Sequence, residues 1–479
     1  MNTQNKSEKK RQTYLLAGNG FDIALGLKTK YSDFFMVVGI IIALDVYQSF
    51  RIDGYDFDDV KKRKKSVTDQ VEMIFEDLNE CNYFEYLGNY ETEHIDKEYY
   101  KKITEIALDY YISSDYNSIN NYKNSIKSPF YLDFIEQIFP ELVPYLKEDN
   151  SSYDNFANKY RWLFLSSNLK DDKQHLKDYD VAKLKSYKYL PRFIQILNGY
   201  IQNSEYQNWM DLESFIELLV TGNEYLKSKF GITNDQEPKY LFNEHKKAQE
   251  YSDGLEKFCL MFEKYISLIN KYIPEKYDLD DIISSYKESF QKRNEGEDKN
   301  LLDISHVDAV LSYNYTDTFE KLFPKLSENG CVYYINGKVS GDFASPRKES
   351  QIVFGYTRNN KDIDVSPKCL IFEKDKQRFL KNIPMYDYNK ILEKDEFNIV
   401  IFGHSCSPAD GDVFRSILNH PKLNKAVICC YNKDAMTSAY ENLVKMLDES
   451  PSCETTINDL IINKKVLFCL NEESHAEND

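Results

Sequence analysis

The chain has 479 residues and a formal net charge of −17, long enough for roughly two to four domains and acidic enough to oppose broad attachment to nucleic acid or anionic lipid, which favour basic faces. The nine cysteines are scattered singly apart from Cys429-Cys430. With no Cys-x-x-Cys pair and no clustered His, they signal neither a zinc site nor a disulfide framework, so no metal and a reducing, cytoplasmic compartment are expected.

Lys6, Lys9, Lys10 and Arg11 precede an apolar stretch that stops at Gly18-Asn19, too early for a signal-peptide core. Tyr14 to Ala17 predicts a strand, and it breaks into Gly18-Asn19-Gly20 and then Phe21-Asp22. Two glycines let a backbone turn sharply and approach a ligand without Cβ obstruction, and the next helix can offer N–H groups to a phosphate. The third glycine of the dinucleotide fingerprint is missing, since Ile23 holds its place and the next glycine is Gly26. Taken alone, the run is equally an ordinary strand-turn-helix corner with Asp22 as N-cap. Strand, turn and helix extend to about Ser49, and the apolar run Phe34 to Leu44, flanked by Asp33 and Asp45, falls short of the about 18 residues of a membrane span. It predicts a buried helix.

From about Asp56 to Asn300 helical spacing dominates, as in Leu255, Phe258, Phe262, Ile266 and Ile269 on one face. Lys61-Lys62-Arg63-Lys64-Lys65 is the best basic patch, and such a run is usually a solvated edge. Trp209 and Glu213 share a helix face while Asp211 points elsewhere, which is poor geometry for a metal, and Glu213 with Glu217 reads as a solvated stripe.

Strands return after Leu301: Val307 to Asn314, Val332 to Ile335, Ile352 to Phe354, Ile399 to Phe402, Ala426 to Tyr431 and Val466 to Leu470. They alternate with helices at Thr318-Leu326, Asp410-Leu418 and Ala435-Leu447. Alternation of this kind predicts an α/β fold with a Rossmann-like parallel sheet. The N-terminal strand has no sheet of its own, so it is expected to join the C-terminal one. That gives an α/β domain from 12–50 and 301–479, interrupted by a helical insertion over 51–300. Four apolar runs end in small or polar residues, at Asn314, Asn336-Gly337, Gly355 and Gly403-His404-Ser405. Ligands of open α/β sheets bind at strand carboxyl ends, so these describe one shared crevice. Ser405 lacks the Gly-x-Ser-x-Gly context of a hydrolase nucleophile, because Ser407 takes the final position.

Gly18-Asn19-Gly20-Phe21-Asp22, then Asn314-Tyr315-Thr316, the step at Asn336-Gly337 and Gly403-His404-Ser405 with Asp410 after it resemble the AbiH family of bacterial abortive-infection, anti-phage proteins. Trp209-Met210-Asp211-Leu212-Glu213 fits that family's Trp-x-Asp-x-Glu. More distantly, the motif order is similar to sirtuin-like NAD-binding proteins. The resemblance implies anti-phage defence, a sirtuin-like crevice for NAD or a related nucleotide, and its cleavage or modification on infection. It implies a catalytic role for Asn314 and a cofactor crevice lined by Gly18, Asn19, Gly20, Asn336, Gly337, Gly403, Ser405 and Asp410. His404, the one His inside a motif, either supplies the imidazole or hydrogen-bonds the strand end, and Asp22, like Asp410 explicable as a helix cap, is the candidate catalytic carboxylate. Where both families usually show His-Gly this chain has Asn336-Gly337, and Asn does not exchange a proton near neutrality. A non-catalytic nucleotide-binding sensor is therefore the alternative, with a nucleic-acid-directed effector as a third reading. The expected partners are a nucleotide ligand and a phage trigger, with no membrane; self-association stays open.

Overall fold

The computed structural model describes residues 11–27, 29, 34, 213, 216, 245–270, 273, 279–339, 349–357, 367–384, 388–448, 453 and 455–471. Six parallel strands form one sheet in the order β3-β2-β1-β4-β5-β6. They are β1 Gln12–Ala17, β2 Ala309–Ser312, β3 Val332–Tyr334, β4 Phe397–Phe402, β5 Leu423–Cys430 and β6 Val466–Leu470. The N-terminal strand lies at the centre, with Leu15 level with Val310 of β2 and Val400 of β4. This is the expected union of the two chain ends. A parallel strand covered on both faces has no polar side, which is why Leu15-Leu16 and Ile399-Val400-Ile401 read as unbroken apolar runs.

The helices are α1 Asn19–Ala24, α2 His245–Ile269, α3 Leu279–Arg293, α4 Thr318–Leu322, α5 Pro324–Glu328, α6 Lys374–Leu380, α7 Asn389–Leu392, α8 Gly411–Leu418, α9 Lys433–Leu447 and α10 Ile457–Ile462. Their ends follow local chemistry. Asp280 and Asp281 open α3 while Lys292 and Arg293 close it, matching the helix dipole. The Asn432 side chain accepts the Ala435 N–H at the start of α9, and Thr456 with Asp459 makes a capping box on α10.

One sheet face, carrying Leu16, Leu311, Ile399, Ile401 and Ile428, packs on Val413, Phe414 and Ile417 of α8 and on Leu443 and Met446 of α9. On the other face Phe402 meets Tyr286 of α3 and Phe21 of α1, with ring centroids 5.1 and 5.5 Å apart. The spacing read on α2 holds, since Leu255, Phe258, Phe262, Ile266 and Ile269 are all buried. Phe262 packs edge-on to Phe34 and to Tyr315.

Two expectations fail for identifiable reasons. Ile352 to Phe354 is not a strand: the Ile352 N–H donates to the Glu263 carboxylate, the Val353 N–H to the Asn336 carbonyl and the Phe354 N–H to Gln377 Oε1. Its donors are taken up one by one from three directions, leaving no ladder. Thr318 to Leu326 is not one helix, because Pro324 disfavours helical backbone at Phe323, which sits at φ −126°, ψ 60°. Within 51–300 the described elements are helical, α2 and α3. Lys61–Lys65, Trp209 and Asp211 lie outside the described residues, as does the run from Phe34 to Leu44 beyond Phe34 itself. Among the described residues no helix is long and apolar enough to cross a membrane.

Candidate functional site

The carboxyl ends of β1, β2, β3 and β4 open onto one cavity of about 260 Å³. It lies over the point where the strand order reverses, between β1 and β4. Gly18, Asn19, Gly20 and Asp22 reach it from β1 and α1, Asn314 from β2, Asn336 from β3, and Gly403, His404, Ser405 and Asp410 from β4. Gly337 does not line it; at φ +84° it turns the chain so closely against the Gln351 carbonyl that a Cβ would lie 2.1 Å from that oxygen.

The glycines of the first turn also allow a close backbone approach that their spacing does not announce. A Cβ on Gly20 would stand 2.7 Å from the Gly403 Cα, and one on Gly18 2.6 Å from the Gly403 carbonyl oxygen. Gly403 answers in kind, with φ +65° and a missing Cβ that would sit 2.1 Å from the Phe21 nitrogen. The β1 and β4 turns are therefore packed backbone to backbone. Their N–H groups are engaged there as well: Gly18 donates to Phe402, Gly20 to Gly403 and Phe21 to Gly18, at 3.0, 2.8 and 2.9 Å.

Asp22 lies inside α1, whose N-cap is Gly18, so the capping role is set aside. Its carboxylate is 1 % exposed and accepts the hydroxyls of Thr316 and Thr318 at 2.7 and 2.9 Å. Burial pushes its pKa up to about 6, against the opposing pull of those two hydroxyls and, after them, of the nearby Asn314 amide. Asn314 is 3 % exposed, and among the described residues its amide, though close enough to Asp22 to act on its carboxyl, completes no hydrogen bond through either oxygen or nitrogen. The buried hydroxyl of Tyr313, also on the cavity wall, is likewise unpaired. Native proteins seldom leave such groups unsatisfied, and the cavity lining carries three buried hydrogen-bonding atoms that find no partner among the described residues.

The opposite wall is saturated with charge. Lys374, the first residue of α6, is wholly buried between Glu213 at 2.7 Å and Asp410 at 2.5 Å. Burial raises the Asp410 pKa, but Lys374 and then His404 outweigh it and hold the carboxyl well below the usual range. Glu213 moves the other way, up, through burial and the Asp410 charge despite Lys374. One cation shared by two buried carboxyls thus favours the charged form of Asp410 and disfavours that of Glu213. One turn along α6, Arg378 donates to Asn336 Oδ1 at 3.0 Å, to the Ile335 carbonyl and to Asp412. Asn336 is therefore held by a guanidinium.

His404 has its ring against Tyr313 and Phe414, with centroids 4.5 and 4.9 Å apart. Its Nδ1 accepts the Cys406 N–H at 2.9 Å, and Nε2 lies 3.4 Å from Asp410 Oδ2. An accepting Nδ1 places the proton on Nε2, facing Asp410, and no ring lone pair is left to take a proton from a ligand. Asp410 stands at the N-cap of α8 without capping it, because its oxygens go to Lys374 and His404.

Sequence reasoning missed Lys374 and Arg378 and took Glu213 for a solvated residue. Their one local signal is the four-residue spacing of Lys374 and Arg378, which puts two cations on one helix face.

A family model described as bacteriophage abortive infection AbiH matches residues 107–431, more than half of the chain. No curated protein and no solved structure matches it.

Proposed function

The chain belongs to the AbiH family of bacteriophage abortive-infection proteins, and on that premise we propose that it defends against phage by binding NAD or a related nucleotide in this crevice and cleaving it on infection. The observation that carries the reading is Asn314, whose buried side-chain amide finds no partner among the described residues at the carboxyl end of a central strand. Two further features support it. The strand order coincides with that of Rossmann-like dinucleotide-binding sheets, whose ligands sit at the reversal point. Asp22 lines the same cavity as Asn314, as a sirtuin-like site for an N-glycosidic bond requires.

In the proposed reaction the bond between the anomeric carbon and the nicotinamide nitrogen breaks, and its electron pair leaves with the base, which departs neutral. The ionised Asp22 stabilises the oxocarbenium-like sugar. Asn314 holds a ribose hydroxyl or the attacking water, whose oxygen bonds to the anomeric carbon and whose proton passes to Asp22.

A second reading, a sensor that binds without turnover, is favoured by the engaged imidazole of His404 and by Asn336 fixed on Arg378. Purified protein incubated with NAD, alone and with phage lysate, separates the two. Release of free nicotinamide supports cleavage, binding without release supports the sensor, and absence of both removes the nucleotide reading.

A further inference from the structure

We propose that the cavity admits the phosphate-free end of the nucleotide, its ribose hydroxyls and its base, and keeps the phosphates outside. The inference rests on the nucleotide reading above and goes against the expectation that the glycine turn cradles a phosphate.

Four observations carry it. A phosphate cradle needs free backbone N–H groups, and those of Gly18, Gly20 and Phe21 are engaged within the two interlocked turns. The space that a missing Cβ leaves at Gly18 and Gly20 is filled by the Gly403 backbone and offers no room to an anion. The ionisable side chains on the cavity wall include Asp22, Glu213, Asp410 and His404, and Lys374, which is fully buried behind them, is neutralised by its two carboxyls. Against the Asp22 carboxylate, which among the described residues is held by two hydroxyls and no cation, a phosphate is repelled, whereas a sugar hydroxyl donates to it and a cationic base is attracted.

The groups that wait for a partner point the same way. The Asn314 amide offers a donor and an acceptor together, and the Tyr313 hydroxyl does likewise, a set that matches vicinal hydroxyls. Size agrees: about 260 Å³ is small beside the roughly 300–1,000 Å³ of sites for drug-sized ligands, so the cavity encloses a nucleoside rather than a whole dinucleotide.

The test is a calorimetric titration of the full chain with adenosine, nicotinamide riboside, adenosine diphosphate, NAD and inorganic pyrophosphate, on wild type and Asn314→Ala. Asn314→Ala removes two unpaired buried atoms and is expected to keep the fold. One of the two nucleosides should bind within about tenfold of NAD and displace it, each losing at least about tenfold in Asn314→Ala, while millimolar pyrophosphate leaves NAD binding unchanged. If NAD binds and neither nucleoside does, or if pyrophosphate displaces NAD, the inference is overturned and the nucleotide reading stands. If NAD binds Asn314→Ala as tightly as wild type, or nothing binds at all, both fall.

Discussion

The two walls of the crevice are built from similar residues and left in opposite states. On the β4 and α6 side, Lys374, Asp410 and Glu213 form a closed chain of pairs, and Arg378 joins Asp412 to Asn336. On the β1 and β2 side Asp22 receives two hydroxyls and, among the described residues, no cation, and the side-chain amide of Asn314 next to it completes no hydrogen bond there. A buried pair with its hydrogen bonds complete holds a structure in register, while a buried group left incomplete costs stability that a ligand restores. Under the proposed function, the contrast makes one wall scaffolding and the other recognition.

The comparison breaks most severely at Lys374. Lys374→Met keeps the stem but leaves Asp410 and Glu213 facing each other without their cation, and removing one member of a buried pair costs about 3–5 kcal/mol. Urea denaturation at pH 7 should show that loss. The depressed Asp410 pKa contributes stability above the unfolded value of about 3.9 and loses it as pH falls through the folded value. The gap between wild type and variant should therefore narrow in acid. A loss below about 1 kcal/mol at pH 7 would mean that these charges are solvated, and the contrast between the walls would go.

Gly403→Ala comes next. The substitution forces a side chain into left-handed backbone, about 1–2 kcal/mol, and drives a methyl into the Phe21 nitrogen, about 1–3 kcal/mol more. Gly26 is the control: its φ is +78° and a Cβ there would meet nothing within 4 Å, so Gly26→Ala should lose the backbone part alone. The difference between the two melting temperatures measures the interlock of the β1 and β4 turns, and equal losses would show that the turns are not locked.

How legible these walls are in the sequence follows from what holds each residue. Asn314, Asn336 and Gly403 are visible because a strand's end is fixed by its apolar run, and whatever follows it must face the crevice. The sheet was legible on the same ground, even to the entry of β1 among strands some three hundred residues later. Lys374 and Arg378 are hidden because Glu373-Lys374-Asp375-Lys376 reads as a solvated helix edge, and only the tertiary approach of Glu213 and Asp410 shows that Lys374 is buried. Gly18 and Gly20 were visible, but their packing against Gly403 was not, since a glycine kept clear for a ligand and one kept clear for another backbone have the same sequence. Ile352 to Phe354 was read as a strand because apolar residues are extended in both settings, and its hydrogen bonds to Glu263 and Gln377 belong to distant helices.

The smallest effect is the most specific. Asp22 has a folded pKa of about 6 against about 3.9 for an unfolded aspartate, so between those values the folded state binds the extra proton and stability falls as pH rises. The penalty is complete above about pH 6 and amounts to roughly 1–3 kcal/mol for a fully buried group. Asp22→Asn removes this titration while keeping an oxygen for one threonine hydroxyl, so its stability should fall less steeply than wild type's from pH 4 to 7 and exceed wild type at pH 7, with NAD binding weakened. Such a trade of stability for binding is expected of a recognition residue and not of a scaffold residue. Equal pH dependence in the two proteins would show that Asp22 is not the group under strain, and the β1 wall would then be as complete as the β4 wall.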